Sequence, residues 1–415
     1  MFNKITILSL SILPISLILG NFAVNFNIIL IDLLVLYQCY KAKKWEWIKD
    51  DIFKLLLIFY LYLIINSIIS YYILDNIDHA GLIRSIAFIK FILLGYSFRL
   101  LLTSENDLET IFKFWTIIIS IVIFDIFFER LFGHNVLGYT SLDSTRIVSF
   151  FKNEAVVGGL VLCFGFTVTT FFLEKKLQFN SKIFFNLFLF ILPISIFVSG
   201  ERSNFIKSLI IFGLILFIIN KGKLLIEKKI LLVSLIFILF SVTFLNQNIY
   251  IKQTEFFKRV IFSEKSAKFT DRFQNIKYFA HYDVSLKIFK DFPFSGIGNK
   301  NFRFVCHDEK YFDKTVKFTT QRCNTHPHQV HFEILSEQGL IGYLFLFYIF
   351  YIFFKKNLIS IKLSKNIFHF GSTMLLILSF MPLIPGGSFF STFSGSLFWI
   401  VFSIANLNLS KNYTN

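Results

Sequence analysis

Residues Thr319 to Gly342, TTQRCNTHPHQVHFEILSEQGLIG, close the longest polar interval of the chain and run directly into an apolar segment, Leu340 to Phe354. Three histidines, His326, His328 and His331, fall within six positions. Pro327 suits the first turn of a helix, where its missing N–H costs nothing, and Asn324 or Thr325 would cap that start. From there His328, Phe332 and Leu335 share one face at i, i+4, i+7, with His331 beside them. The spacing predicts a helix that begins in water with imidazoles at its tip and then enters a bilayer. Gly339 and Gly342 let neighbouring helices come close where it does so.

The rest of the chain has the composition such a helix needs. Of 415 residues 55% are hydrophobic and only 16% charged, which excludes a soluble globular protein. Phe is used 59 times, and with the abundance of Ile, Asn and Lys this points to an AT-rich genome. The net charge of +16 raises nucleic acid as a partner. No basic-aromatic RNA-binding pattern and no Gly-rich phosphate loop supports that, so no nucleic acid is expected.

A membrane helix needs about 20 apolar residues, and roughly twelve such spans can be placed. They lie near 4–20, 22–40, 53–74, 82–102, 111–131, 155–173, 183–199, 204–220, 230–246, 339–354, 367–384 and 388–405. The N-terminal stretch has signal-peptide character, but a second apolar span follows at once, so it reads as a first membrane helix. The first two and last two spans are each short enough to be a tight hairpin or a re-entrant pair. The predicted fold is thus an all-α polytopic membrane protein: nine spans in 1–246, a large loop in 247–338, and three spans in 339–415.

Lysine placement orients it. Lys41, Lys43, Lys44, Lys49 and Lys54, then Lys175, Lys176 and Lys182, then Lys221, Lys223, Lys228 and Lys229, then Lys355, Lys356, Lys362 and Lys365, fall in one set of short loops. The alternate loops, DNIDHAG at 75–81 and PLIPGG at 382–387, have none. The rich set is expected inside, with both termini, and the long loop outside. Three outer polar intervals follow: Arg130 to Glu154, the turn SGERSN at 199–204, and about 246–338. In the last, Tyr250 to Phe279 has helical spacing and reads as a membrane-surface segment. HYDVSLKIFK reads as a helix, and FPFSGIGNKNF at 292–302 as turns. Cys306 and Cys323, seventeen positions apart in this loop, are expected to form a disulfide in an oxidising compartment, stabilising by about 3 kcal/mol on the loop-entropy model. Unpaired thiols are the alternative.

The His-Pro-His turn followed by a helix ending Glu-x-Gly-Leu-Ile-Gly resembles the C-terminal signature of the O-antigen ligase and O-antigen polymerase family. The family histidine stands nine positions before the glutamate of that signature, so Glu337 selects His328. Where most members carry Asn next, this chain has Gln329. The resemblance extends over Arg146 to Gly342. The family places an arginine in a short outer turn with a Ser-Gly-x-Arg context, which Arg202 matches. It carries another about one helix before a Pro-x-x-Gly-x-Gly segment, here Arg272 before Pro293, Gly296 and Gly298. Arg146 and Glu154 resemble part of the first outer loop of some members; an Arg–Glu structural pair is the bland alternative. Arg202 has one too, snorkelling to lipid headgroups, and Arg272 lies among other cations on a helix that needs a solvated face.

What the resemblance implies is an inverting glycosyl transfer in a C-type glycosyltransferase fold at the periplasmic face of a bacterial inner membrane, without nucleotide sugar, metal or other cofactor. The donor is a glycan on a polyprenyl diphosphate such as undecaprenyl diphosphate. The acceptor is lipid A–core for a ligase, or another lipid-linked glycan for a polymerase, with ligase slightly preferred. Arg202 and Arg272 would hold the diphosphate and stabilise leaving charge, and His328 would orient or deprotonate the acceptor hydroxyl. Arg146, Glu154, His326, His331 and Glu337 are expected around the substrate. A metal reading of the histidines is disfavoured, because HPHQVHFE lacks the H-E-x-x-H pattern and no carboxylate pair has ligand spacing. A twelve-span transporter or flippase is the remaining alternative. It should concentrate polar residues at the midplane, whereas this chain places them at one outer face.

Overall fold

The computed structural model describes residues 2–74, 78–143, 145–152, 154–175, 179–221 and 277–409, and among these the regular structure is entirely helical. The predicted span at 230–246, Arg272, and most of the surface segment Tyr250 to Phe279 lie outside the described residues.

Eleven of the twelve predicted spans correspond to helices, though not all are long enough to cross. Helices α1 (Phe2–Ser11) and α2 (Leu13–Leu19) form one pair bent by 51°. Long apolar helices follow: α3 (Asn21–Ala42), α4 (Asp51–Ile73), the nearly continuous α5 (Ala80–Ile86) and α6 (Ile89–Leu101), and α7 (Glu105–Phe132). Next come α8 (Val157–Leu160), a π-helical turn (Val161–Gly165) and α9 (Phe166–Glu174), which together make one span, then α10 (Phe179–Val198) and α11 (Arg202–Lys221). Later in the chain stand α12 (Lys277–Asp291), the short α13 (Phe302–Val305), and then α14 (Val330–Ser364), α15 (Ile367–Ser379) and α16 (Thr392–Leu409). Among the described residues seven helical spans are long and apolar enough to cross a membrane, or eight counting the bent pair. The apolar part of α10, with α15 and α16, is shorter.

Local chemistry sets the ends. Ser104 accepts from the Asp107 N–H (3.2 Å), Glu105 and Asp107 sit in the first turn of α7, and Gly133 ends it at φ 79°. Asp50 caps α4 through Ile52 N–H (2.9 Å), and its second oxygen takes Arg99 (3.1 Å). Outward faces carry bare apolar side chains such as Phe22, Ile65, Leu344 and Tyr351, as a lipid-facing surface does.

Described loops gather at two ends of the bundle. At one end Lys175 pairs with Glu105 (3.1 Å) and Glu109, and Glu174 accepts from Ile367 N–H. At the other, Arg130 donates to Val198 O (2.7 Å), Asn66 to Ser295 O (2.9 Å), and Gly386 N–H to His328 O (2.7 Å).

At that second end the start of α14 and the loop 292–302 are built on each other. Gly339 stands at φ 63° and breaks the helix. The N–H groups of Leu340 and Ile341, which have lost helical partners, donate to Pro293 O (2.8 Å) and Phe294 O (3.2 Å), while Ser336 O accepts from Ile297 N–H (3.0 Å). A Cβ on Gly339 would stand 2.2 Å from Phe294 O, so the approach requires glycine. Tyr62 and Asn66 of α4 hold the same break through Gln338 O (2.6 Å) and the Gln338 side chain (2.9 Å). A small second core of Val284, Ile288, Ile297, Phe302, Cys306 and Tyr311 joins α12 to the segment that follows it.

Candidate functional site

The histidine turn departs from the expected helix tip. Helix α14 begins at Val330, not at Pro327, and neither Asn324 nor Thr325 caps it. Gln329 does, its carboxamide oxygen accepting from His331 N–H (2.7 Å) and Phe332 N–H (3.1 Å). His328 therefore does not share a helical face with Phe332 and Leu335. It stands before the helix at φ 61°, held there by the bond from Gly386 N–H to its carbonyl. One acceptor that satisfies two orphan N–H groups outweighs a proline's fit to a first turn.

The three imidazoles differ in what their nitrogens do. A carbonyl only accepts, so a ring nitrogen bonded to one must carry the proton. His331 Nε2 donates to Phe380 O (2.7 Å), leaving Nδ1 to accept from the Tyr343 hydroxyl (3.0 Å), and the ring stacks on Phe347. His326 Nε2 donates to Gly386 O (3.2 Å), and its Nδ1 accepts from Thr325 Oγ1 (3.0 Å). The ring of His328 has no hydrogen bond among the described residues. It packs 4.3 Å from the His326 ring and 5.4 Å from those of His281 and Tyr278, and borders a large cavity. His281 is fixed in turn, with Nδ1 donating to Arg322 O (2.8 Å). Burial, reinforced by the neighbouring His326 and His281, pushes His328 down to about 3; burial and Lys300 push His326 down to about 4. Both are neutral at pH 7.

The cavity measures about 1450 Å³. That exceeds the roughly 300–1,000 Å³ of sites for drug-sized ligands and suits a larger substrate. His326, His328, Arg202, Arg146 and Glu154 all border it. His331 and Glu337 do not. Glu337 is fully buried behind the wall, accepting from Lys300 N–H (2.9 Å) and Phe302 N–H (3.4 Å), which explains its fixed place relative to the loop. Arg146 donates to Ala155 O (2.6 Å), and the acid whose field it meets is Glu201, itself bonded to Gly158 N–H (2.5 Å) and Asn204 (2.6 Å). Cys306 and Cys323 are bonded to each other, with Cα atoms 5.4 Å apart, away from the cavity. Arg322 bridges from there, donating to Cys306 O (3.0 Å) and His307 O (3.1 Å).

Several cavity residues were not singled out from the sequence. Lys300, at φ 63°, reaches Ser388 and lies 3.5 Å from the fully buried Glu333, which also accepts from Ser388 Oγ and Phe389 N–H (2.9 Å). Arg303, Lys277 and Lys207 border the cavity as well, with the apolar Leu162, Leu375, Leu397 and Phe398; Arg84, a charge inside a predicted span and on that ground a functional hint from the sequence, borders it too. The run Gly-Asn-Lys-Asn at 298–301 and the Pro-Gly-Gly-Ser at 385–388 were the available signals, but only as turns. Among the described residues the one group spaced to hold a metal ion is Cys306, His307 and Cys323, two of whose sulfurs are joined to each other.

No curated protein matches this chain. A family model described as O-antigen ligase matches residues 187–347, a range that holds Arg202, Arg272, the three histidines and Glu337. Over those residues the chain is similar to the O-antigen ligase family, the family its His-Pro-His turn and Glu-x-Gly-Leu-Ile-Gly helix resemble.

Proposed function

We propose that the cavity transfers a glycan from a polyprenyl diphosphate to an acceptor hydroxyl at the outer face of a bacterial inner membrane, most simply from the lipid carrier to lipid A–core. The observation that carries this reading is the His328 ring, neutral, unbonded, and facing a cavity lined by arginines, lysines and apolar side chains. The acceptor hydroxyl gives its proton to a His328 ring nitrogen as its oxygen attacks the anomeric carbon. The bond from that carbon to the diphosphate breaks on the opposite face, and the lipid diphosphate leaves with the electron pair, which inverts the configuration. Arg202, and Arg272 by the resemblance, meet the growing charge. Tails lie against Leu162, Leu375, Leu397 and Phe398. His326 and Arg146 shape the donor side, with Glu154 nearby. This scheme uses neither a nucleotide sugar nor a metal ion.

The test is transfer from a purified lipid-linked donor, with and without chelator. Inversion at the anomeric carbon, unaffected by chelator, is expected; retention of configuration sinks the scheme. Deletion of the gene assigns the acceptor: bare core with lipid-linked polymer marks a ligase, and core capped with single repeats marks a polymerase.

A further inference from the structure

A cation in a low-dielectric interior is costly unless an opposite charge or hydrogen-bond acceptors meet it. The buried cations near this cavity show how that is arranged: Lys300 faces Glu333, and Arg322 is spanned by backbone carbonyls. Lys207 is different. It is 9% exposed, it borders the cavity, and among the described residues no hydrogen bond or ion pair accounts for its ammonium. The titratable group acting on it is the Cys163 thiol, not a carboxylate.

Its position is specific. Lys207 lies five residues beyond Arg202 along α11, about 7.5 Å deeper at 1.5 Å per residue. Its Nζ would stand 3.8 Å from a side chain built on Gly386, the residue whose backbone bonds both His326 and His328. The ammonium therefore lies on the cavity wall beside the bend that holds the histidine turn.

We propose that Lys207 binds the lipid-proximal phosphate of the polyprenyl diphosphate, while Arg202 at the rim meets the sugar-proximal one. This rests on the proposed function and adds a depth order to it. A lipid whose tail fills the apolar end carries its first phosphate at the tail's edge, where Lys207 stands. The second phosphate reaches outward towards Arg202 and places the anomeric carbon near His328.

The depth order separates two probes. A polyprenyl monophosphate has only the lipid-proximal phosphate, so it needs Lys207 and not Arg202. Full-length protein in nanodiscs is titrated with polyprenyl monophosphate and polyprenyl diphosphate. Lys207→Met should weaken both by about tenfold or more, the loss of one charge-assisted contact, and Lys207→Gln should do likewise. Arg202→Gln should weaken the diphosphate alone. Without ligand, Lys207→Met should melt at or above the wild type, since it removes an uncompensated buried charge. A merely structural lysine would lower that melting temperature and leave both affinities unchanged, which overturns the assignment. So does Lys207→Met or Lys207→Gln that keeps wild-type monophosphate affinity. A wild type that binds neither lipid overturns the proposed function as well, so the two failures are distinguishable.

Discussion

His328→Ala is expected to lower transfer by about 10²–10⁴-fold, roughly 3–5 kcal/mol of barrier, with expression and insertion unchanged, in an assay of purified lipid-linked donor. Near-normal turnover would end its assigned role. His331→Ala should act otherwise, because both His331 nitrogens are occupied in joining α14 to the end of α15. Its cost should appear as a lower melting temperature with activity partly kept. His326 makes a pH test. Its folded value near 4 lies below the ordinary imidazole value near 6.5, so between those values the unfolded chain binds more protons than the folded one. Stability should therefore fall as pH drops from about 6.5 towards 4, by up to about 1.4 kcal/mol per pH unit from this residue. His326→Gln should flatten that part of the curve of melting temperature against pH. An unchanged slope would show that His326 is not held neutral by the fold.

At the scale of elements, the acids of α14 tie three segments together. Glu333 joins the loop at Lys300 to the bend at Ser388 and Phe389, and Glu337 holds Lys300 and Phe302 by their N–H groups. Glu333→Ala would leave Lys300 buried without its counter-charge, at a cost of about 3–5 kcal/mol. Thermal unfolding in detergent should show a large loss, and Glu333→Gln a smaller one; equal melting temperatures for all three would refute the network. The disulfide belongs to this scale as well. Non-reducing mass spectrometry should recover Cys306 linked to Cys323, and two alkylated thiols from an oxidising preparation would refute it. Here the sequence was partly readable. The turns at 292–302 and the helix over HYDVSLKIFK stand where they were expected. The start of α14 does not, because the caps at Asn324 and Thr325 were judged by local propensity. The competing acceptor, Gln329, wins only with His328 held left-handed by Gly386, a residue 58 positions away.

For the whole molecule, the two ends of the bundle carry different loops, and the lysine content of the sequence leads us to propose that the poorer end faces outside. Reporter fusions at Lys44 and Lys362 should report cytoplasm, and one at Lys310 periplasm. A cytoplasmic signal at Lys310 would remove the cavity from the compartment of its substrate and end the proposal.

Composition and hydropathy settle by themselves that this chain is helical and built for a membrane, because apolar runs of about 20 residues have the length of a spanning helix, which satisfies its own backbone in lipid, and not of a barrel strand. Local motif also brings forward Arg202, His326 and His328, because each stands in a short segment whose residue types are few and unusual. What local sequence does not contain is the partner. That His328 has an unbonded ring while His326 and His331 have none depends on the carbonyls of Gly386 and Phe380, from the bend between α15 and α16. That Lys300 has a counter-charge depends on where the buried Glu333 sits, which no local reading of either segment contains. Hydrogen bonds and charges are satisfied in space, between segments tens to hundreds of residues apart. Only the tertiary structure decides which polar groups remain for a substrate.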